Sequence, residues 1–344
     1  MSVAAQIDRL LAGEDLGRDG AAEVLDLVMA GEVDPVQTGA FLIALRAKGE
    51  TAGELAGLAS VVRARSERVR TDRAPLVDTC GTGGGRSTFN VSTAAAFVVA
   101  GAGVAVAKHG NRSATSRSGS ADVLEALGAR IDLAPDAVAA CIERTGIGFM
   151  FAPAHHPAFR HIVPVRRALG VRTIFNLLGP LTSPAGVRRQ VIGVSDAAAL
   201  DRLGEALALL GAEHALVVAA RDGMDEISTA APTDVVEVTP GGVRRWRLDP
   251  AGFGISPPSE VEIAGGEPAE NAAVIAAVLD GDGGAAGDLV ALNAGAAIFV
   301  SGTVGSIEEG FEAARESLSS GRAGERLAAF VAATNELAPV ASGG

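Results

Sequence analysis

Two clusters of glycine and small polar residues have the composition of anion-binding loops. The first, GTGGGRS at 81–87, leads into NVST at 90–93, where a helical pattern begins. The second, KHGNRSATSRSGS at 108–120, follows the apolar run Val104–Ala107 and precedes another helical pattern. Glycine leaves backbone amides open to a ligand, and the positive end of a helix dipole attracts an anion. Two such loops at the ends of adjacent strands predict a ligand with more than one phosphate.

The first loop taken alone leaves its role open. It lacks a glycine of the dinucleotide fingerprint, because Arg86 stands in that position, and it lacks the lysine and spacing of a P-loop. A glycine cluster after a strand is most often a tight turn. Asn90, Ser92 and Thr93 could likewise simply cap the next helix. A phosphate or metal role therefore stands beside a purely structural one.

The second loop gives the stronger signal. Lys, His, Gly, Asn and Arg directly after a buried strand are unusual for a plain connection, and open α/β sheets bind ligands beyond the carboxyl ends of their strands. Lys108, Arg112 and Arg117 make this region locally positive. Ser120 and Asp122 are predicted to be the N-cap and the first-turn acid of the following helix, and Ser120 is compatible with a ligand contact as well.

The composition is that of a globular α/β protein. The chain has 344 residues, of which 48% are hydrophobic and only 3% aromatic, so small aliphatic residues carry the burial. The net charge of −12 disfavours a nucleic-acid partner. The longest uncharged run, Asn90–Ala107, is broken by polar residues and glycine, which argues against a membrane span. Cys80 and Cys141 are expected to be reduced core residues, and we expect a cytoplasmic protein.

The pattern of residues 1–70 predicts a small helical domain. Apolar residues recur at helical spacing in its first two segments: Val3, Ile7, Leu10 and Leu11, then Val24, Leu25 and Val28. Asp34 followed by Pro35 predicts the start of a third helix, and the T-x-x-E pattern of Thr51 and Glu54 predicts a capping box on a fourth. The apolar stripes could serve the core of this domain or a contact between subunits.

The remainder, 71–344, begins with a polar linker and then alternates strand and helix patterns. The predicted strands are Leu76–Thr79, Val104–Ala107, Gly148–Phe151, Gln190–Val194, His214–Ala219 and Val235–Val238. The predicted helices include Thr93–Ala102, Ser120–Leu127, Asp136–Arg144, Ala197–Leu210, Asn271–Leu279 and Ser306–Ser317. Strands separated by helices imply crossover connections and a mostly parallel sheet. Residues Gly242–Asp249 resemble the second strand of a hairpin added to that sheet.

Longer motifs, spread over almost the whole chain, closely resemble anthranilate phosphoribosyltransferases. They are QTGAFLIALRAKGET at 37–51, GTGG at 81–84, NVST at 90–93, KHGNRSATSRSGSADVLEALG at 108–128, HPAFRHIVPVRRALGVRTIFNLLGPLTSPA at 156–185, DGMDEIS at 222–228 and ALNAGAAI at 291–298. The resemblance implies transfer of the phosphoribosyl group of phosphoribosyl pyrophosphate to anthranilate, with release of pyrophosphate, in tryptophan biosynthesis. It also implies Mg²⁺ and a homodimer.

The fold implied by this resemblance is a helical domain joined to a larger α/β domain with a mostly parallel sheet, of the nucleoside phosphorylase and phosphoribosyltransferase type. Residues 1–70 would form the helical domain and carry the dimer contact, joined by helices around 165–185. Residues 71–344 would form the α/β domain that binds phosphoribosyl pyrophosphate. The partners would be two small molecules and a second copy of the chain, with no nucleic acid and no membrane.

The resemblance also assigns roles to individual residues. Phosphoribosyl pyrophosphate would contact Gly81, Gly84, Gly85, Thr88, Asn90, Val91, Ser92, Thr93, Lys108, His109, Gly110, Asn111, Arg112, Ser113, Ala114, Thr115, Ser116 and Ser120. Anthranilate would contact Gly81, Asn111, His156, Arg166, Gly179 and Pro180, with its carboxylate on Arg166. Mg²⁺ would be held by Ser92, Asp225 and Glu226.

The chemistry implied needs no covalent nucleophile, and none is assigned. His109 and His156 match positions near the amine of anthranilate, although isolated histidines are more often structural. The amine attacks the anomeric carbon as pyrophosphate leaves. The protein has to align two substrates and neutralise the leaving group with Mg²⁺, Lys108 and backbone amides.

Two departures from the family pattern concern the loops. The glycine loop usually reads GTGGD-G, whereas here Gly85 takes the place of the aspartate, Arg86 follows, and the loop is shorter by one residue. A positive charge is therefore expected beside the phosphate site. The His-Gly that commonly precedes the DGMDE-type motif is Ala220-Arg221. We expect these changes to affect substrate affinity, metal dependence and turnover.

Two other functions are compatible with the fold. A pyrimidine nucleoside phosphorylase-like transferase should lack KHGNR and Arg166 in this context. A weakly active binding paralogue should have lost Lys108, Arg166 or the acidic pair and should carry a basic surface. This chain keeps all of these residues and is acidic.

Overall fold

The N-terminal part of the chain folds into four helices, as the sequence predicts. The computed structural model describes residues 2–113 and 117–338, and its first helices are α1 (Val3–Leu11), α2 (Gly17–Ala30), α3 (Pro35–Lys48) and α4 (Ala52–Ala64). Asp34 caps α3 by accepting the Val36 amide at 2.7 Å, with Pro35 in the first turn. Both bonds of the predicted capping box between Thr51 and Glu54 are present.

The apolar stripes of α1 and α2 point into the core with one exception. Val3 and Leu10 are buried, as are the stripe residues of α2, whereas Leu11 is 70% exposed. Position 11 is turned by about 80° from position 3 around the helix axis, so Leu11 lies at the edge of the stripe. The stripe of α1 thus divides between the core and an exposed edge, the two uses that the sequence left open.

The rest of the chain contains a seven-stranded sheet. Its strands are β1 (Leu76–Asp78), β2 (Ala105–Gly110), β3 (Ile147–Phe151), β4 (Arg189–Gly193), β5 (His214–Ala220), β6 (Thr233–Thr239) and β7 (Gly242–Leu248). They stand in the order β3-β2-β1-β4-β5-β6-β7, parallel from β3 to β5 and antiparallel at β6 and β7. The mostly parallel sheet and its added hairpin are confirmed.

Helices cover both faces of this sheet. They are α5 (Val91–Gly101), α6 (Ser120–Ala126), α7 (Pro135–Thr145), α8 (Ala152–His155), α9 (Val163–Leu169), α10 (Phe175–Leu178), α11 (Leu200–Leu209), α12 (Pro268–Leu279), α13 (Gly284–Ser301), α14 (Ile307–Ser319) and α15 (Arg322–Leu337). On one face α13 packs against α5 and α14. On the other, α11 packs against α4, so the N-terminal helices share a hydrophobic cluster with the sheet.

Helix α13 is not among the predicted helices, because it is apolar all round and shows no amphipathic stripe. Among residues 2–113 and 117–338 it is the one helix long and apolar enough to cross a membrane, and 72% of it is buried inside the fold. Such burial is typical of the central helix of a folded domain.

The strand order creates a crevice at the carboxyl ends of β1 and β4. Strands β2 and β3 lie on one side of β1 and β4 lies on the other, so the chain leaves these strand ends in opposite directions. Open α/β sheets bind ligands at such a switch point. Strand β2 extends beyond its predicted end at Ala107, so Lys108 and His109 stand on the strand, paired with β3, and not in the loop. The ladder therefore fixes the backbone of both residues.

Candidate active site

A cavity of about 1090 Å³ opens at this crevice. Its walls are the loop 81–87, the loop that follows β2, the segment 152–182 and the pair Asp225–Glu226. Pockets for a single small ligand usually measure roughly 300–1,000 Å³. This cavity therefore has room for two substrates side by side.

The first loop needs glycine where its neighbours come close. A Cβ on Gly81 would lie 2.9 Å from the Gly193 carbonyl oxygen, and one on Gly85 would lie 2.5 Å from Asp225 Oδ1. The Thr82 amide donates to Gly193 O at 2.9 Å, which ties the loop to the end of β4. A side chain at position 85 would overlap Asp225, so the glycine that replaces the family's aspartate fits this arrangement.

Arg86, the positive charge that the sequence adds to this loop, lines the cavity and faces two carboxylates. Its guanidinium lies 3.2 Å from Glu260 Oε1 and 3.7 Å from Asp222 Oδ2. Its backbone amide donates to Gly223 O at 2.8 Å. The charge of Arg86 is thus shared with two carboxylates at the rim of the cavity.

Asp225 and Glu226 lie together in the cavity wall. Burial raises the pKa of Glu226 well above its ordinary value, and the Asp225 carboxylate raises it further. Burial also raises the pKa of Asp225, while hydrogen bonds from loop amides and the nearby Arg172 guanidinium lower it. Two carboxylates held together in this way repel each other, and a divalent cation would relieve that repulsion.

The oxygen donors at this place fit Mg²⁺. Asp225 and Glu226 offer carboxylates, and the Ser92 hydroxyl lines the same cavity. Over the described ranges there is no cluster of three or more His, Cys, Asp or Glu side chains that would form a complete cage. Mg²⁺ commonly takes one or two protein carboxylates and completes its shell with water and substrate phosphates, so an open acidic pair is the expected arrangement.

Lys108 is held in the cavity wall between Thr79 and Ser92. It is only 2% exposed, and its Nζ donates to Thr79 O and Thr79 Oγ1, each at 3.3 Å, and to Ser92 Oγ at 3.2 Å. Burial lowers the pKa of its ammonium, and the Asp78 carboxylate opposes that effect. Asp78 is fully buried, and burial raises its pKa to about 7. An ammonium desolvated in this way gains strongly from an anionic ligand.

The Arg112 side chain forms ion pairs with α6. Its guanidinium pairs with both acids of that helix, at 2.9 Å from Asp122. The N-cap of α6 is Gly119, one position before the predicted Ser120, because the Asp122 carboxylate accepts the Gly119 amide at 2.9 Å. Ser120 begins the helix, and its hydroxyl donates to Asn111 O at 3.3 Å.

Asn90 is also engaged by protein groups. Its Nδ2 donates to Ser118 O at 3.1 Å, and its Oδ1 accepts from Ser118 Oγ at 3.1 Å and from Asn271 Nδ2 at 2.9 Å. The Asn90 side chain therefore fastens the loop after β2 to α12.

Arg166 lines the cavity from α9. Its guanidinium lies over the Phe175 ring, 5.4 Å from the ring centre. In the described part of the chain this guanidinium has no hydrogen bond or ion pair. Burial lowers the pKa of Arg166 with no carboxylate to offset it. An uncommitted guanidinium beside an aromatic ring suits an aromatic carboxylate, which it can hold by two parallel hydrogen bonds.

Two buried histidines, His109 and His156, also line the cavity. The rings of His109 and His156 are 5.2 Å apart, and His156 stacks on Phe159 at 5.1 Å. His109 Nδ1 lies 3.2 Å from Gly179 O, and because a carbonyl only accepts, Nδ1 carries the proton. Nε2 of His109 is then an unprotonated acceptor, and it has no protein partner in the described residues. Burial lowers the pKa to about 3 for His109 and about 4 for His156, so both are neutral at physiological pH.

Three successive carbonyls of the wall segment 179–181 are held by side chains from three elements. His109 of β2 donates to Gly179 O, as described above. Gln190 of β4 donates to Pro180 O at 2.8 Å, and Arg63 of α4 donates to Leu181 O at 2.6 Å. The position of this wall is therefore set by the strands and by the N-terminal helices together.

Most residues predicted for the site are brought together in this one cavity. They are Gly81, Gly84, Gly85, Thr88, Asn90, Ser92, Thr93, Lys108, His109, Gly110, Asn111, Arg112, Ser113, Ser120, His156, Arg166, Gly179, Pro180, Asp225 and Glu226. Val91 does not line the cavity and is fully buried in the core. The predictions for Ala114, Thr115 and Ser116 lie outside the described residues.

Four residues around the site were not predicted. Of these four, Gln190 is the one that the sequence could have indicated, because a polar residue within an apolar strand is unusual. Gln190 is 1% exposed. Asp78 and Arg172 lie inside or beside recognised motifs without an assigned role. Arg63 gives no local signal, because its partner Leu181 is 118 positions away.

Family models match nearly the whole chain. Residues 5–66 match the helical bundle domain of a glycosyl transferase family, and residues 73–324 match its a/b domain. An anthranilate phosphoribosyltransferase of Rubrobacter xylanophilus is 53% identical over 329 residues, covering 95% of this chain and 96% of the relative. One of Thermomicrobium roseum is 50% identical over 337 residues, covering 96% and 97%.

Solved structures agree with these relatives. The crystal structure of anthranilate phosphoribosyltransferase from Thermus thermophilus matches with a TM-score of 0.91 at 44% identity, over 97% of this chain and 100% of that chain. The enzyme from Saccharomyces cerevisiae in complex with PRPP and Mg matches with a TM-score of 0.89 at 28% identity, over 97% and 98%.

Proposed function

The chain belongs to the anthranilate phosphoribosyltransferase family, and from this premise we propose that it transfers the phosphoribosyl group of phosphoribosyl pyrophosphate to the amine of anthranilate in tryptophan biosynthesis. The products are N-(5-phosphoribosyl)anthranilate and pyrophosphate. The observation that carries the proposal is one cavity with an uncommitted guanidinium, Arg166, on one side and the acidic pair, the glycine loop and Lys108 on the other.

The donor side would hold the two phosphate-bearing ends of phosphoribosyl pyrophosphate. The first loop presents backbone amides, and the buried ammonium of Lys108 lies next to Ser92. Positive charge fixed in a desolvated site stabilises the leaving pyrophosphate more strongly than water does. Mg²⁺, held by Ser92, Asp225 and Glu226, would supply further neutralisation of that charge.

The acceptor side would place the amine of anthranilate near His109. Arg166 holds the carboxylate, and the wall 179–181 confines the ring. The unprotonated Nε2 of His109 can accept a hydrogen bond from the amine and so orient its lone pair toward the anomeric carbon. An aromatic amine is neutral at physiological pH, so it needs no strong base before it attacks.

The assembly and location are further parts of the proposal. Residues 1–70 would form a helical domain that carries the contact of a cytoplasmic homodimer, and 71–344 would form the domain that binds the donor. Exposed apolar side chains on α1 and α3, Leu11 at 70% and Val36 at 80%, support a contact there.

The loss of anthranilate fluorescence tests this function. Protein is mixed with anthranilate and phosphoribosyl pyrophosphate, with and without Mg²⁺, and released pyrophosphate is measured in parallel. We expect a Mg²⁺-dependent fluorescence loss with equal release of pyrophosphate. No fluorescence loss at high protein concentration would refute the proposal. Phosphorolysis of uridine or thymidine by the same protein would favour the nucleoside phosphorylase alternative.

A further inference from the structure

Arg172 lines the cavity although no ligand contact is predicted for it. It follows α9 in the turn that leads to α10, and its side chain reaches the first loop. A Cβ on Gly84 would overlap the Arg172 guanidinium, so the two are in direct contact. Arg172 therefore joins the acceptor-side segment 152–182 to the donor-side loop.

The guanidinium of Arg172 is not committed to a protein partner. Over residues 2–113 and 117–338 it makes no hydrogen bond or ion pair, and Arg46 is bonded to the backbone carbonyl of Arg172 instead. Asp225 is close enough for the guanidinium to lower its pKa, in opposition to the burial that raises it. An exposed cation in a substrate cavity, close to an acidic pair but not paired with it, has the position of a ligand contact.

The cation that the first loop carries itself is not available for this role. Arg86 is paired with Asp222 and Glu260. Gly84 leaves space that only a residue without a side chain allows, and Arg172 fills that space from outside. The positive charge that faces this loop in the cavity thus comes from the segment after α9.

We propose that Arg172, which lines the same cavity as Lys108, binds the leaving pyrophosphate of the donor. This inference rests on the proposed function, because the anion is the donor's own leaving group. A guanidinium forms two parallel hydrogen bonds to phosphate oxygens, which an ammonium cannot do. Lys108 then supplies a compact charge on one side, and Arg172 supplies an oriented pair of donors on the other.

A different role would make Arg172 only a counter-charge for Asp225. In that case its removal would change the Mg²⁺ requirement, because the acidic pair would bind the cation more readily, and the affinity for pyrophosphate would stay the same. The two roles are separated by measuring both substrates and the metal.

Three full-length variants make the test. Arg172→Ala removes the guanidinium, Arg172→Lys keeps the charge without the planar fork, and Arg167→Ala removes an exposed arginine of α9 that does not line the cavity. Steady-state kinetics give KM for each substrate at saturating Mg²⁺. Calorimetry with pyrophosphate and Mg²⁺ alone gives binding without turnover, and thermal melts report folding.

For Arg172→Ala we expect KM for phosphoribosyl pyrophosphate and the Kd for pyrophosphate to rise about tenfold to hundredfold, as for loss of a charged hydrogen bond. KM for anthranilate should stay within about twofold, Arg172→Lys should recover part of the loss, and Arg167→Ala should match the wild type. An unchanged pyrophosphate Kd, an equal rise in both KM values, or a lowered Mg²⁺ requirement alone would overturn the inference. Wild-type protein without activity would instead refute the proposed function, and pyrophosphate binding would still report on Arg172.

Discussion

At the scale of single residues, the cavity holds charges that the fold leaves partly uncompensated. Glu226 is half-buried next to Asp225, Lys108 is buried with only neutral oxygens as hydrogen-bond partners, and Arg166 has only an aromatic ring beside it. Each of these arrangements costs stability in the ligand-free protein. In the proposed function each would be relieved by a part of the two substrates or by the metal, so the protein would lose stability in exchange for binding.

Glu226→Gln is predicted to stabilise the ligand-free protein and to lower its activity. Because the folded pKa of Glu226 is raised, ionisation costs stability, and this cost grows as pH rises above the ordinary carboxyl pKa. The variant should therefore melt at a higher temperature than the wild type at neutral pH and show no such gain near the ordinary carboxyl pKa. We expect its turnover to fall about hundredfold, since a charge proposed to hold the metal would be lost.

Thermal melts across this pH range, with Mg²⁺ titrations of activity, check the prediction. Glu260→Gln is the matched control, because Glu260 is an exposed acid that pairs only at the rim. A Tm gain in Glu226→Gln that does not depend on pH would contradict the assigned cause.

Motifs identify the key residues of the site, but not what each side chain does. Lys108, Arg166 and the acidic pair are recognisable from local sequence and stand in the cavity. The hydrogen bond between Asn90 and Asn271 cannot be predicted from the sequence pattern, because the two residues are 181 positions apart. Hydrogen bonds between distant segments of the chain depend on tertiary packing, which a local sequence pattern does not encode.

At the scale of elements, the wall 179–181 is a short segment fixed from several sides. Its backbone is not in a long helix or strand. The hydrogen bonds that hold its carbonyl groups therefore come from the side chains of Gln190, Arg63 and His109. Gly179 itself is open: a Cβ placed there meets no heavy atom within 4 Å. The backbone of the wall is thus held by hydrogen bonds, and the space beside Gly179 is free.

Gly179→Ala is predicted to keep stability while weakening acceptor binding. Its backbone has a φ of −47°, which any residue adopts, and the added methyl group projects into open space. We expect the Tm to change by less than about 2 °C, as for a substitution within about 0.5 kcal/mol. KM for anthranilate should rise several-fold, with KM for the donor unchanged.

Gln190→Leu is the comparison variant for Gly179→Ala, because it is expected to lose stability. It leaves Pro180 O without its donor and should cost roughly 1–3 kcal/mol of unfolding free energy, measured in urea. If Gly179→Ala lost stability to the same extent as Gln190→Leu, the free space in front of the wall would be contradicted.

Element prediction succeeds where the pattern is local. The caps at Asp34 and Thr51 and the parallel strands follow from short-range rules, and all are present. Strand β2 was predicted too short, because polar Lys108 and His109 look like loop residues. Their place on the strand depends on pairing with β3, which brings buried partners to both.

At the scale of the whole molecule, the strand order brings the two halves of the site together. The first loop leaves β1 and the wall 179–181 precedes β4, so the surfaces proposed for donor and acceptor meet at the switch point of the sheet. The N-terminal helices reach the same wall through Arg63. The proposed acceptor side therefore depends on both parts of the chain.

A second copy of the chain is predicted to cover α1 and α3. Val36 is 80% exposed, and Ile43, on the same helical face, is 38% exposed. A double Val36→Glu, Ile43→Glu variant should dissociate at least about tenfold more readily than the wild-type dimer, because charge would be buried in the contact. Val261→Glu, at an 86% exposed position outside the N-terminal helices, is the control.

Sedimentation equilibrium of the three proteins checks this prediction. A wild-type monomer at all concentrations, or a dimer that the double variant leaves unchanged, would contradict a contact through these helices.

The division of one cavity into a donor half and an acceptor half is tested most directly by crossing two variants with two substrates. Steady-state KM values for phosphoribosyl pyrophosphate and for anthranilate are measured in Lys108→Ala and in Arg166→Ala. We expect Lys108→Ala to raise the donor KM, and Arg166→Ala the acceptor KM, each by about tenfold or more with the other KM nearly unchanged. Equal effects of either variant on both substrates would contradict the two-sided site.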